Sequence, residues 1–376
     1  MKTRDKYSYF IKNNKSYINA IGLMSGTSLD GLDIALIKTN ATNHFELKQF
    51  STYEYSESLK QNISCFIKDR KNLNYVASLL TKFNSKCIKS FLANYNINSK
   101  EIDIIGLHGH TIFHNPKENW TWQLCDGKSL SNLVNIPVIS NFRYRDVCLG
   151  GEGAPLVGIW HKALLNSIKD TVFPSVFLNI GGVSNITYLE NQFDIPYCFD
   201  IGIGNGPIDY TMQKNFNIPF DEDGKISLEG SINESIIKNI LKNNWYKKLP
   251  PKSIDKSHFN IFINSLIKDL SAEDKAATLS KLISAQLKVA LKFFPQKPKS
   301  LYVSGGGTKN KAILNGLKED FGNILLPLET NWNSDAIEAQ AFAYLASRSF
   351  KSIPFTWEKI TGVRNQSSGG VLDFPD

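Results

Sequence analysis

The sequence is poor in arginine, has no paired cysteines and has no long apolar run. Among its 43 basic residues only Arg4, Arg70, Arg143, Arg145, Arg348 and Arg364 are arginine. Nucleic-acid binders gather basic residues on one face and favour the bidentate guanidinium fork. Here the lysines are scattered, so the formal net charge of +8 reads as compositional background and no nucleic-acid partner is expected. The five cysteines, Cys65, Cys87, Cys125, Cys148 and Cys198, are odd in number and include no C-x-x-C pair. That argues against a disulfide framework or a cysteine-based zinc site and fits the reduced cytoplasm. No apolar run approaches the roughly 18 residues of a membrane span. The opening MKTRDKYSYFIKNNKSY lacks the apolar core of a signal peptide. A cytoplasmic protein with no membrane partner is the expectation. No GxxxxGK[ST] string is present, so a phosphate loop in this chain is not a Walker A loop.

What is present is an ordinary globular composition, 42% apolar and 21% charged over 376 residues, long enough for two or three domains. Residues 1–17 read as a polar extension. YINAIGLMSGTSLDGLDIALIKT then reads as strand, Gly/Ser/Thr turn, strand. Helical spacing runs from Ser56 to Asn94, and short strands follow at 102–109 and 136–142 around a helix at 129–135. An apolar helix covers 154–167 before a break near Pro174. VFLNIGGVSNITYLE (176–190) repeats the hairpin with a Gly-Gly tip, and SLYVSGGGTKNKAILNGLKEDF (300–321) is strand, triple glycine, helix. Residues 334–350 read as an amphipathic helix capped by Ser334 or Asp335, with Glu338 in its first turn. Two hairpins with small-residue tips, each opening about half the chain, predict duplicated α/β domains. The expected boundaries are 1–17 for the extension, 18–173 for the N-terminal domain, 174–345 for the C-terminal domain and 346–376 for a tail packing back on the body.

Glycines let a backbone approach a ligand closely, and Ser/Thr hydroxyls donate to anionic oxygens. The tip Ser25–Gly31 therefore suits a nucleotide phosphate, and equally a tight turn with no ligand. Asn179–Asn185 and Gly305–Gly307 repeat that pattern, and three such loops together describe a nucleotide cleft. His108 and His110 form an H-x-H pair, which suits either a metal or satisfied structural imidazoles. Without a nearby cysteine or acid, the metal is the weaker reading.

At GLMSGTSLDGLD (22–33) the sequence closely resembles the anhydro-N-acetylmuramic acid kinase family. The resemblance continues through GLHGHTIFHNP (106–116), NFRYRDVCLGGEGAPLVGIWHKALL (141–165), VFLNIGGVSNIT (176–187), CFDIGIGNGPIDY (198–210), VSGGG (303–307) and DAIEAQAFAYLA (335–346). It implies two duplicated ribonuclease-H-like α/β domains of the sugar kinase–actin–heat-shock ATPase fold around a central nucleotide cleft. It implies an ATP-dependent, Mg²⁺-requiring kinase. The enzyme would open 1,6-anhydro-N-acetylmuramic acid with water and phosphorylate O6, giving N-acetylmuramic acid 6-phosphate in cell-wall recycling. Its partners would be that sugar and ATP, and a homodimer is compatible with it.

Carried residue by residue, the resemblance makes Asp200, in FDIGIGN, the base that activates water; the bland reading is a capping or Asx-turn aspartate. It places ATP on Gly26, Thr27, Ser28, Leu29, Asp30, Gly31, Leu32 and Asp33, with Asp30 and Asp33 nearest Mg²⁺ through water. Asn179, Gly181, Gly182 and Asn185 take the β/γ-phosphate side, and Gly305, Gly306 and Gly307 take the adenosine side. For the sugar it offers His108, Arg143 and Glu338. Arg143 suits the lactyl carboxylate, and Glu338 reads equally as a capping-box residue. The chain departs from the family pattern at Leu107, at His110 (usually glutamine), at Asn141 (usually aspartate), at Glu152 (usually glutamine) and at Ile201–Asp209. Because these departures touch the presumed sugar side, a kinase for another sugar and a catalytically silent sugar or nucleotide sensor stand as alternatives.

Overall fold

Apolar runs broken by small-residue turns set the strands. In the computed structural model, which describes residues 15–26, 29–254, 256–326 and 332–376, Ile18–Met24 forms β1, Gly31–Thr39 β2 and Phe45–Glu54 β3. The three make an antiparallel meander. β4 (Ile104–Leu107) runs parallel to β1 on its other side, and β7 (Val138–Ser140) runs parallel to β4. The C-terminal strand Val371–Asp373 closes that edge antiparallel to β7. β5 (His110–Asn115) and β6 (Trp120–Leu124) form a separate hairpin.

The helical stretch after Ser56 is two helices, Glu57–Asp69 and Leu73–Asn94, because Arg70 and Asn72 adopt left-handed φ of 56° and 62°. Ser56 caps the first by accepting the Leu59 N–H. Leu59, Ile63 and Phe66, at one-turn spacing, bury their side chains in the same core as Leu32, Ile34 and Leu107. Each such side chain contributes about 1.5–3 kcal/mol.

The second sheet repeats the first. β8 (Ser175–Ile180), β9 (Val183–Leu189) and β10 (Tyr197–Ile203) are an antiparallel meander. β11 (Ser300–Ser304) is parallel to β8, and β12 (Leu325–Leu326) is parallel to β11. Three antiparallel strands with two parallel strands added beside the first is the order in both sheets. The expected duplication is therefore present in the topology itself. The Lys/Asn-rich stretch folds as the short helices Lys225–Glu229, Glu234–Leu241 and Asn244–Lys247, and the long helix Ala272–Ala290, capped by Ser271, supplies much of the second core.

The division of the chain differs from the expected 173/174 and 345/346. One unit takes the chain up to Gly153 together with Glu338–Thr356 and Val363–Asp376, and the other takes Ala154–Ile337 with Trp357–Gly362. Two packing facts explain the difference. The helix Gly158–Ser167 belongs to the second unit, where Gly158 lies so close to Cys198 that a Cβ would be 2.7 Å from the Cys198 Cβ. The helix Ile337–Phe350 lies on the first sheet, where Gly22 and Gly106 admit it: a Cβ on either would overlap the Ala339 or the Phe342 carbonyl. That helix is also buried nearly all round rather than amphipathic, and it starts later than expected. Asn333 Oδ1 accepts the Asp335 N–H in the turn that precedes it. No described helix is long and apolar enough to cross a membrane.

Candidate active site

In the second unit the C-terminal ends of β8, β10 and β11 point the same way, and each runs into a glycine-containing loop. Open α/β sheets bind ligands at such ends. Register puts Ser304, Asn179, Asn185 and Asp200 in one row across β11, β8, β9 and β10, and directly paired residues share a face. All four are buried, and Ser304 Oγ donates to Asn179 Oδ1 at 3.2 Å. Asn185 Oδ1 and the neighbouring Ser184 Oγ are buried with no hydrogen-bond partner among the described residues. Buried polar groups seldom stay unsatisfied, so these point to a polar ligand or solvent.

Asp200 ends that row at a β-bulge, where the pairing skips from Asp200 to Gly202. Bulges re-aim side chains and gather beside active sites. Gln286 supports the bulge: its Oε1 accepts the Ile203 N–H and the Tyr246 hydroxyl, and its Nε2 donates to the Ile203 carbonyl. Gly202, at φ 143°, has no room for a side chain beside that amide. Asp200 Oδ2 accepts the Ile254 N–H at 3.0 Å.

The Gly181–Gly182 turn is the receptor for a second loop. Asn205 N–H donates to Gly181 O at 2.7 Å, and the N–H groups of Gly204 and Gly206 donate to Gly182 O at 3.2 and 3.3 Å. Gly204 lies so near Gly181 that a Cβ would overlap its carbonyl, whereas a Cβ on Gly182 would meet nothing within 4 Å. Gly305, at φ 84°, backs onto Ile180 and Asn179, Gly307 onto the Ile180 side chain, and Gly306 faces Asn205 Nδ2 at 3.3 Å from a built Cβ. Asn179, Gly181, Gly182, Asn185, Asp200 and Gly305–Gly307 are thus brought together at one end of one sheet. Gly204, Asn205 and Gly206 join them. Sequence reasoning left these three unassigned, although G-x-G-N-G-P before a helix that starts with Pro207 in its first turn was the available signal.

In the first unit the loop after β1 is held by side chains. Tyr55 O–H donates to Ser25 Oγ at 2.8 Å, and Ser25 Oγ lies 3.1 Å from His110 Nδ1. Burial lowers His110 to about 4, so its ring is neutral and shares one hydrogen bond with the Ser25 hydroxyl through Nδ1. These residues, with Asn84 and Cys125, line a cavity of about 10 Å³, room for about one water. His110 therefore supports the loop that Ser25 opens.

Thr27 and Ser28 lie outside the described residues. Leu29 takes φ 63°, Asp30 is exposed, and Leu32 turns its side chain into the core. Leu32 can therefore offer a ligand only its main chain. Asp33 Oδ1 accepts the Thr52 hydroxyl at 2.6 Å.

His108 is buried behind Arg143. Its Nε2 accepts from Arg143 Nε and Nη2 at 3.1 and 3.0 Å, which leaves the ring proton on Nδ1. Burial, then the Arg143 charge, holds its pKa well below 6.5. Arg143 Nη1 donates to Gly153 O at 2.8 Å, and buried Asp146 accepts the Gly153 N–H, so the GGEG segment is tied down from both sides. Arg145 is exposed on the next helix. Glu338 sits half-buried in the first turn of the helix Ile337–Phe350 in this same unit. Among the described residues no group of three His, Cys, Asp or Glu side chains is set to hold a metal.

The family model for anhydro-N-acetylmuramic acid kinase matches residues 18–375. The chain belongs to that family. A relative from Zymomonas mobilis, named anhydro-N-acetylmuramic acid kinase, is 36% identical over 369 residues, covering 94% of this chain and 99% of its own. One of the same name from Paramagnetospirillum magneticum is 35% identical over 357 residues, covering 95% and 99%. Membership spans both units, so both sets of loops belong to one kinase.

Proposed function

We propose that the protein uses ATP to phosphorylate O6 of 1,6-anhydro-N-acetylmuramic acid while water adds at C1. The C1–O6 bridge breaks, and N-acetylmuramic acid 6-phosphate, ADP and a proton result. The single observation that supports this reading best is Asp200. It is a buried carboxylate at a supported β-bulge, paired in the same row with Asn185, whose Oδ1 has no partner among the described residues, and it lies on the sheet whose Gly182 turn is open. In this reading Asp200 takes the proton from water as the bridge opens. Asn179, Gly181, Gly182 and Asn185 hold the β/γ-phosphate side of ATP, joined by Gly204–Gly206, and Gly305–Gly307 lie against the adenosine. Gly26–Asp33 hold phosphate from the first unit.

Mg²⁺, which neutralises phosphate charge when bound, fits Asp30 best. Asp30 is an exposed carboxylate that suits a hydrated ion, whereas Asp33 already takes the Thr52 hydroxyl. Arg143, braced by His108, grips the lactyl carboxylate, and Glu338 takes a sugar hydroxyl. The cytoplasm is the proposed compartment.

A coupled ADP-release assay with the anhydro sugar tests the reading. Asp200→Asn should lower kcat by about 10² or more while ATP and sugar bind near parental strength. Near-normal kcat in that variant removes Asp200 as the base. Parental turnover of another sugar alone would mark a kinase of different specificity. ATP binding without any turnover would mark a sensor.

A further inference from the structure

Asp200 is held by a strap as well as by its own strand. The segment from Pro250 to Ile254 runs past β10, where the Asp200 N–H donates to the Lys252 carbonyl at 3.0 Å and the Ile254 N–H donates to Asp200 Oδ2 at 3.0 Å. The Lys252 side chain fixes this strap in place. It is 2% exposed, whereas Lys238, Lys242, Lys247 and Lys248 before it in the chain reach water. Its Nζ donates to the carbonyls of Trp245 and Tyr246, at 3.1 and 3.3 Å, in the short helix Asn244–Lys247. It also sits 4.4 Å from the Trp245 ring centroid and 4.9 Å from that of Phe293. Lys252 makes no ion pair among the described residues. A buried ammonium is costly, and lysine normally extends its head to solvent. Two carbonyls and two aromatic faces offset that cost only if the cation stays where it is.

We infer that Lys252 is a positioning residue for this reaction: its charged head pins the 250–254 strap, and the strap, through the Ile254 N–H, aims the Asp200 carboxylate. This rests on the reading of Asp200 as the base. Two charged groups bear on the ammonium, Lys248 on the strap's own approach and Asp200 on β10. The Tyr246 phenol is committed to Gln286 and held well above 10 by burial. Burial first, then Lys248, lowers Lys252 to about 8 against the pull of Asp200. The pin is therefore charged below that pH and neutral above it. A neutral amine loses the attraction of both rings and weakens the carbonyl bonds. Turnover falls as pH rises through about 8, while ground-state binding, which the pin does not touch, holds.

The test measures kcat and KM against pH on the full chain with ATP and the anhydro sugar. The parent should show an alkaline fall in kcat near pH 8 with KM changed by less than about 3-fold. Lys252→Arg, always charged, should keep kcat within about 3-fold at pH 7 and move the fall to above about pH 9.5. Lys252→Met should lower kcat at pH 7 by about 10-fold or more, leave KM within about 3-fold and remove the alkaline fall. A parental profile flat to about pH 9.5, or a fall left in place by Lys252→Arg, overturns the proposal without any need for the Met variant to fold. A folded Lys252→Met with parental kcat overturns it as well. Asp200→Asn separates the two readings. If it keeps kcat, Asp200 is not the base and the inference falls with it; if it loses kcat while Lys252→Met keeps the parental profile, only the pin is wrong.

Discussion

In the second unit the loop after β8 is held by main chain. Gly181 and Gly182 offer their carbonyls to three N–H groups of the next loop, and absent side chains give that loop its room. In the first unit the loop after β1 leans on side chains, with the Tyr55 hydroxyl, Ser25 and the neutral His110 ring in series. One strand order thus supports its tip in two ways. Main-chain support is insensitive to pH and intolerant of a Cβ at Gly204, where the two loops meet. Side-chain support tolerates volume changes but depends on the protonation of a buried ring.

The sharpest way to break this comparison is to add a side chain where the main chain does the holding. Gly204→Val drives a Cβ into the Gly181 carbonyl and should raise the ATP KM by about 10-fold or more and lower Tm by several degrees. Gly182→Val, by contrast, meets open space. It should leave Tm within about 2 °C of the parent yet raise the ATP KM about 10-fold, because the bulk stands where phosphate is proposed to lie. Equal thermal shifts in the two variants would contradict the geometry.

A milder effect belongs to the first unit. His110→Leu removes the hydrogen-bond partner of Ser25 and should raise the ATP KM by about 3- to 10-fold, and His110→Gln, which keeps a polar partner there, should recover most of it. Steady-state kinetics at pH 7 with both variants checks this, and equal defects would mean that packing, not the hydrogen bond, is what matters.

The smallest effect is one of pH. The first unit buries His108 and His110 and half-buries His114, lowered to well below 6.5, about 4 and about 4 by burial above all; the second buries His161, lowered to about 3. Unfolded histidine takes its proton near 6.5, so between about 4 and 6.5 the unfolded chain holds more protons than the folded one. Stability is lost as pH falls through that window. The first unit, with three such rings, should loosen first. Hydrogen exchange at pH 7 and pH 5 should show protection dropping in β1, β4 and β5 before it drops in β8 and β9, and the reverse order would refute the asymmetry.

Much of this frame was legible in the sequence, and the limits have physical reasons. Both hairpins were readable because Gly, Ser and Thr interrupt otherwise continuous apolar runs, and Asp200 and the glycine loops were readable as motifs. The alignment of Asn179, Asn185 and Asp200 was not, since strand register is fixed by long-range pairing. The helix Ile337–Phe350 announced itself by its alanines, but nothing local says which sheet will accept it. That choice was written in Gly22 and Gly106, far upstream. Lys252 gave no signal at all, because one buried lysine in a lysine-rich stretch looks like its solvated neighbours.

That late helix has a consequence for how the chain is made. β1 and β4 emerge from the ribosome among the first third of the residues, yet the element that covers Gly22 and Gly106 is translated only after Ile337. Throughout synthesis of the second unit the nascent first sheet keeps one apolar side bare, a state that invites aggregation or chaperone capture. The N-terminal half is thus born first and completed last, and a fragment ending at Gly153 lacks a layer that its own sequence does not encode.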